Sequence, residues 1–430
     1  MSVDAISMLE RGARQAPHAE TITLLSKALR LSEQQHVAFA ASASRHRRPR
    51  ATPDDAPALD PAPDVPLAAL FPPTRALPRP LVSPIGRERE GAALTALLRD
   101  PTRRLLVLTG PGGVGKTLLA LHAAHAARDA FPDGVAYVSL AAVPPTGPIA
   151  TAVARMLAAR ERDESALPDA TLDGLRDKRR LLVLDNYERV AIAAPLLTDL
   201  CEDCSGLTIL AISRVALHVR GATDIAVPPL ALPDPAPLPA VAELARYPAV
   251  QFFVQRVHDV APRFALTDAN AGALVALCRR LDGLPLALEL AAPHVKMLPL
   301  SDLLARLEQQ PDILAHGPCD LPSRQRTMDA CLDWSHVLLD PTARAVLRRL
   351  AICADGCTFD TAATVCAGID ATGEPAARVG DIFGHLTTLV DSHLLLMEQD
   401  GDVQRLTMPA LVRAYALRQL RCSGEEETTR

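Results

Sequence analysis

An α/β parallel sheet flanked by helices, followed by a helical subdomain and a winged-helix-like subdomain, is the fold class this 430-residue sequence predicts. Three observations predict it. Five short runs, LLVLT (105–109), GVAYVSL (134–140), LLVLD (181–185), LTILAIS (207–213) and DIAVPPL (224–230), alternate with helix-like sequence. Such runs are apolar on both faces, as strands of a parallel sheet covered on both sides must be. After Pro235 the strand signals stop and helical periodicity takes over. From about 321 helices resume, interrupted by LLLMEQDGDVQRLTM, where Asp400-Gly401 between apolar runs marks a hairpin.

The elements follow in chain order. Residues 1–48 begin with VDAISMLERG, small polar side chains around Ile6 and Leu9 at helical spacing, and continue into ETITLLSKALRLSEQQHVAF, so this part is all-α. It is mildly basic, with Arg45, Arg47, Arg48 and Arg50 near its end. Residues 49–82 are dense in Pro and Ala and read as an extended linker that buries little. Residues 83–235 carry the sheet, 236–320 the helical subdomain (AVQFFVQRVHDVAP, AGALVALCRRLDG, PLALELAAPHVKML) and 321–420 the winged-helix layout. That layout closes on the helix PALVRAYALRQL, and 421–430 form a tail.

Composition narrows the function. A net charge of −5 rules out a global basic field of the kind that holds nucleic acid without specificity, so any DNA contact is local. Nine scattered cysteines and a polar N-terminus predict a reduced, cytoplasmic protein. No apolar run reaches the roughly 20 residues a membrane helix needs. Cys201 and Cys204 form a lone C-x-x-C without a second pair and carry no metal or redox prediction.

The sequence LTGPGGVGKTLLAL matches G-x-x-x-x-G-K-[ST] directly after a strand and before an apolar helix. Gly110, Pro111, Gly112, Gly113, Val114, Gly115, Lys116, Thr117 and Leu118 are therefore expected to cradle phosphates. Glycines let the backbone curl so that successive N–H groups face inward, and the helix adds its unpaired N-terminal donors. Lys116 supplies a compact cation for the β- and γ-phosphates, and Thr117 a hydroxyl for Mg²⁺. Asp185, at the end of LLVLD, is the expected Mg²⁺ carboxylate. Arg214, leaving the strand LTILAIS, is placed to reach a γ-phosphate. The predicted ligands are ATP or ADP with Mg²⁺.

Taken in order, GREREG (86–91), LTGPGGVGKT, LLVLDNYE, ILAISR, GLPLALELAA (283–292) and LPSRQRTMDACLDWS (321–335) resemble the signal-transduction ATPases of the STAND class. The likeness is to the NB-ARC-like ATPase modules of bacterial transcriptional regulators, over roughly 83–420. The resemblance implies that Pro285 packs on the base side, that Gly86 and Arg87 border the adenine, and that Arg214 senses the terminal phosphate. It implies a nucleotide-switched regulator, with nucleotide-dependent self-association. A stand-alone NTPase or kinase-like enzyme, or a nucleotide-binding fragment without DNA binding, stays open.

Two departures from the family pattern matter. Efficient hydrolysers carry a second acid after the Mg²⁺ carboxylate, where this chain has Asn186, and an amide cannot take a proton from water. Glu188 is a weak substitute, expected instead to be a solvent-facing carboxylate at a helix start. Slow turnover suited to a switch follows. Where related proteins have Met-His-Asp, whose histidine touches ADP, the chain has Met408-Pro409-Ala410, which puts that contact in doubt. The segment DIFGHLTTLVDSHLL is poor in Arg and Lys, so the winged-helix part is expected to act within the molecule. The opening stretch resembles the second half of an Xre-like helix-turn-helix, with Ser2, Asp4, Ala5, Ser7 and Arg11 as its DNA-facing residues. Two helices of that domain are expected to precede Met1 or to have been lost, and family members continue into helical repeats after this point.

Overall fold

A computed structural model describes residues 77–141, 178–309, 311–314, 322–366, 379–401 and 403–425, all within one compact unit. The predicted DNA-facing residues of the opening stretch lie outside them. Strands β1 (Leu105–Thr109), β2 (Val135–Ser139), β3 (Arg180–Asp185), β4 (Leu207–Ile212) and β5 (Thr223–Ala226) form one sheet in the order β2-β3-β4-β1-β5. Every pairing is parallel, with Leu106 beside Leu210 and Val183 beside the same Leu210 on its other side. The predicted parallel α/β sheet is therefore present.

Alternation sorts the apolar residues of the central strands. Leu106 and Leu108, Leu181 and Val183, Leu210 and Ile212 face one core, while Leu105 and Val107, Leu182 and Leu184, Ile209 and Ala211 face the other. Helices α1 (Glu88–Arg99) and α2 (Lys116–Ala126) cover the first face, and α3 (Pro195–Asp203) the second. Strands β1 and β4 are buried throughout, and β3 from Leu181 onward. The edge strands β2 and β5 are half-exposed, because each has a neighbour on one side only.

The last residues of the expected linker pack on the sheet domain. The expected linker runs to residue 82, but Leu77 is buried in the first core, and the carbonyls of Pro78 and Val82 meet the imidazoles of His125 and His122 on α2. A leucine and two carbonyl acceptors are enough to seat this segment on the helix.

The helical subdomain comprises α4 (Val241–Leu244), α5 (Pro248–His258), α6 (Asp268–Arg280), α7 (Pro285–Ala291) and α8 (Leu300–Gln309). Thr267 and Asn270 form a reciprocal capping box at the start of α6. Next come α9 (Met328–Val337), α10 (Pro341–Leu350), α11 (Phe359–Cys366) and α12 (Val379–Asp391). The antiparallel hairpin β6 (Leu396–Asp400) and β7 (Val403–Thr407) and helix α13 (Ala410–Ser423) complete the described residues. Thr327 and Asp340 each cap a helix by accepting a backbone N–H at 2.9 Å, from Ala330 and Ala343. The hairpin turns at Asp400-Gly401 as predicted, with Gly401 at φ +62°. Asp282, after α6, accepts the N–H groups of Ala410 (2.9 Å) and Leu411 (2.8 Å), tying the start of α13 to the helical subdomain.

Candidate nucleotide-binding site

In an all-parallel sheet every strand delivers its C-terminal end to the same edge, and that edge is where the loops can meet a ligand. Here β1 delivers the glycine-rich loop, β3 delivers Asp185, and β4, lying between them, delivers Ser213 and Arg214. Residues far apart in sequence are brought together by strand order alone.

The loop is held open by contacts that need glycine. Gly113 has φ +79°, and a Cβ there would stand 2.7 Å from the Leu286 Cβ. Gly115 caps α2 at φ +97°, a left-handed conformation that side chains resist. The Leu286 N–H donates to the Gly113 carbonyl at 3.1 Å, so the predicted Pro285 sits at the first turn of α7, next to the loop. Lys116 is buried and donates to the carbonyls of Gly110 (2.7 Å) and Pro111 (3.0 Å). Burial and the neighbouring Arg214 lower its ammonium to about 8.

Beside it the Thr117 hydroxyl lies 3.1 Å from both oxygens of Asp185. Tyr137 donates its hydroxyl to Asp185 Oδ2 at 2.8 Å, and the Asn186 N–H donates to Oδ1 at 2.9 Å. Burial still raises the Asp185 carboxyl above its ordinary range, the hydrogen bonds opposing it only in part. A buried carboxylate next to a threonine hydroxyl at the start of a helix is a donor set that fits a divalent cation carrying phosphate.

Glu188 departs from the expectation of a solvent-facing carboxylate. Its side chain is 1% exposed; it pairs with Arg214 Nε at 3.7 Å and accepts the Arg214 N–H at 3.3 Å. The cause is the left-handed Asn186, φ +62°, which turns the chain inward after β3. Arg214 is likewise buried, and its Nη1 donates to the Cys331 carbonyl (2.7 Å) and Ser335 Oγ (2.9 Å), both on α9. Asn186, Glu188 and Arg214 border a cavity of about 460 Å³, within the range that holds a small ligand. Ser83, Ile85, Lys116, Thr117, Asp185, Arg214 and Pro285 line it.

Not every predicted residue reaches this cavity. Gly86 lies under Pro248, and the buried Arg87 guanidinium is used by the Pro228 carbonyl (2.5 Å) and Glu90 (3.0 Å), leaving Val82, Ser83 and Ile85 as the lining residues of that stretch. Sequence reasoning missed Tyr137, Arg324 and Trp334. A tyrosine in an otherwise apolar strand, and an arginine-rich turn before the single tryptophan, were the available signals. Among the described residues no group of three or more His, Cys, Asp or Glu is placed to hold a metal ion. Cys201 and Cys204 are both buried, and burial pushes the Cys201 thiol up to about 11.

A glycine-rich loop between β1 and α2, with an acidic strand end one strand removed, defines a P-loop nucleoside triphosphatase joined to a winged-helix module. The AAA ATPase domain model matches residues 83–315 and the winged helix-turn-helix domain model residues 339–421, and the chain belongs to this AAA ATPase family. A Mycobacterium tuberculosis protein named as an HTH-type transcriptional regulator is 36% identical over 335 residues, which is 75% of this chain and 34% of that protein. A second M. tuberculosis protein is 32% identical over 350 residues, 81% of this chain and 84% of its own length. The regulatory protein AfsR of Streptomyces coelicolor is 32% identical over 321 residues, covering 72% of this chain and 28% of AfsR. The chain thus spans about a third of the length of the regulators it matches. The resemblance to ATPase modules of bacterial transcriptional regulators holds at the level of these domains.

Proposed function

We propose that the chain is a slowly hydrolysing ATP/ADP switch with Mg²⁺ that acts in transcriptional regulation in the cytoplasm. The observation that carries this reading is the Thr117–Asp185 pair beside the buried Lys116, with Arg214 running from the same edge to α9. Lys116 holds the β- and γ-phosphates in exchange for its present loop carbonyls. Thr117 and Asp185 hold the metal, which neutralises phosphate charge when bound. Pro285 and Ile85 border the base. Arg214 links the phosphate end to α9, so that the state of the nucleotide bears on the winged-helix side. DNA engagement by residues 1–48 and nucleotide-dependent self-association complete the proposed cycle.

The same geometry argues for slow turnover. Asn186 cannot accept a proton from water, and Glu188 is committed to the Arg214 guanidinium and N–H. A charged group held in an ion pair is a poor base for a water in the cavity. Steady-state hydrolysis below about 1 s⁻¹ is expected, together with ADP retained by the purified protein. Rates well above that figure would favour a stand-alone NTPase.

A further inference from the structure

Two arginines approach the phosphate end of the cavity, and the protein treats them differently. Arg214 already has a carboxylate, Glu188, and two acceptors on α9. Arg324, on the turn Ser323–Gln325 that leads into α9, lines the same cavity but forms no ion pair among the described residues. Its Nη2 donates to the side-chain oxygen of Asn186 at 3.2 Å, and its guanidinium lies 4.9 Å from the centre of the Trp334 ring. Its Nε is buried and has no acceptor. Its charge is felt at Tyr137, whose hydroxyl rests on Asp185.

A cation held by an amide and an aromatic face, with an orphan donor and lining the cavity that Asp185 also lines, is a site arranged for an anion. Asn186 then gains a positive reason. An acid at that position would neutralise Arg324, whereas the amide oxygen orients the guanidinium and leaves its charge for a ligand. We propose that Arg324 is the contact for the terminal phosphate of ATP, so that the turn entering the winged-helix side distinguishes ATP from ADP. This rests on the nucleotide reading of the cavity and deepens it.

Trp334 is the only tryptophan of the chain, and its ring has the guanidiniums of Arg189 (4.5 Å), Arg324 (4.9 Å) and Arg214 (5.9 Å) against it, so its emission reports on this arginine cluster and the Arg324 variants isolate the part due to Arg324. In the full chain, Mg-ADP and a non-hydrolysable ATP analogue with Mg²⁺ are titrated separately while binding is followed by calorimetry and by tryptophan emission. The wild type is expected to bind both, with a change of Trp334 emission for the analogue that ADP does not produce. Arg324→Gln should weaken the analogue roughly tenfold to a hundredfold, the worth of a charge-assisted hydrogen bond, and leave ADP within about twofold. Arg324→Lys should restore part of the analogue's affinity. Retained ADP binding shows that a variant is folded. Equal losses for both nucleotides, no loss for either, or identical emission responses in the wild type would overturn the assignment of Arg324 alone. A wild type that binds neither nucleotide would overturn the nucleotide reading and this assignment with it.

Discussion

The C-terminal edge of the sheet and the winged-helix module handle charge in opposite ways. At the edge Lys116, Asp185, Glu188 and Arg214 are each at most 8% exposed. In the described residues from 322 to 425 no Lys, Arg, Asp or Glu is buried to that degree, and the buried polar side chains are Ser335 and Ser392. The module's ion pairs sit at its rim, Arg348 and Arg349 with Glu425 at 2.5 and 3.0 Å, and Arg418 with Asp329. Its core is Val346, Leu347, Leu350, Leu386, Leu389 and Ala416. Burying charge works against folding unless partners compensate, so a fold concentrates such groups where a ligand uses them. The module keeps its charges out of its core; the sheet edge buries four of them where the proposed nucleotide would use them.

The largest effect that would sharpen this contrast is on binding. Lys116→Ala removes two charge-assisted phosphate contacts and should weaken ATP binding on the order of a thousandfold, measured by titration with a fluorescent non-hydrolysable ATP analogue. Leu347→Ala, in the module's core, should act the other way. It is expected to lower unfolding free energy by about 3 kcal/mol in chemical denaturation and leave the affinity of the folded protein unchanged. A large affinity change from Leu347→Ala would break the separation.

A smaller effect comes from pH. Because the folded-state pKa of Lys116 is about 8, below the ordinary 10.5, the ligand-free chain binds fewer protons there than the unfolded chain between those values. This group's contribution to stability therefore rises with pH across that window. Phosphate binding needs the ammonium, so affinity should hold up to about pH 8 and then fall by up to about tenfold per pH unit. Proton uptake on ADP binding at pH 9, from calorimetry in buffers of different ionisation enthalpy, checks it.

The same contrast explains what could be read from sequence. The loop 110–117 and Asp185 were legible because a strand end fixes the position of the residue after it, and parallel strands end on one edge. Glu188 was misread because its burial depends on the left-handed turn at Asn186 and on Arg214, neither of which leaves a periodicity. Arg87 was misplaced for a related reason, since its partner Pro228 is 141 residues away. The module's hairpin was legible from Asp400-Gly401. Its connections back to the body, through Asp282 to the N–H groups of Ala410 and Leu411 and through Arg324 to Asn186, were not. Such long-range side-chain pairings are set by packing of whole subdomains.

The claim that the charges at the sheet edge serve a nucleotide, and not stability, meets its most direct test in thermal unfolding of the full chain and of Lys116→Ala, with and without Mg-ADP. Bound nucleotide should raise the melting temperature of the wild type by several degrees, as mass action requires of a ligand well above its Kd. The variant should melt no lower than the wild type when ligand-free, because burial works against the charge of Lys116, and should not respond to Mg-ADP. A variant that melts well below the wild type, or that gains as much from Mg-ADP, would contradict the account.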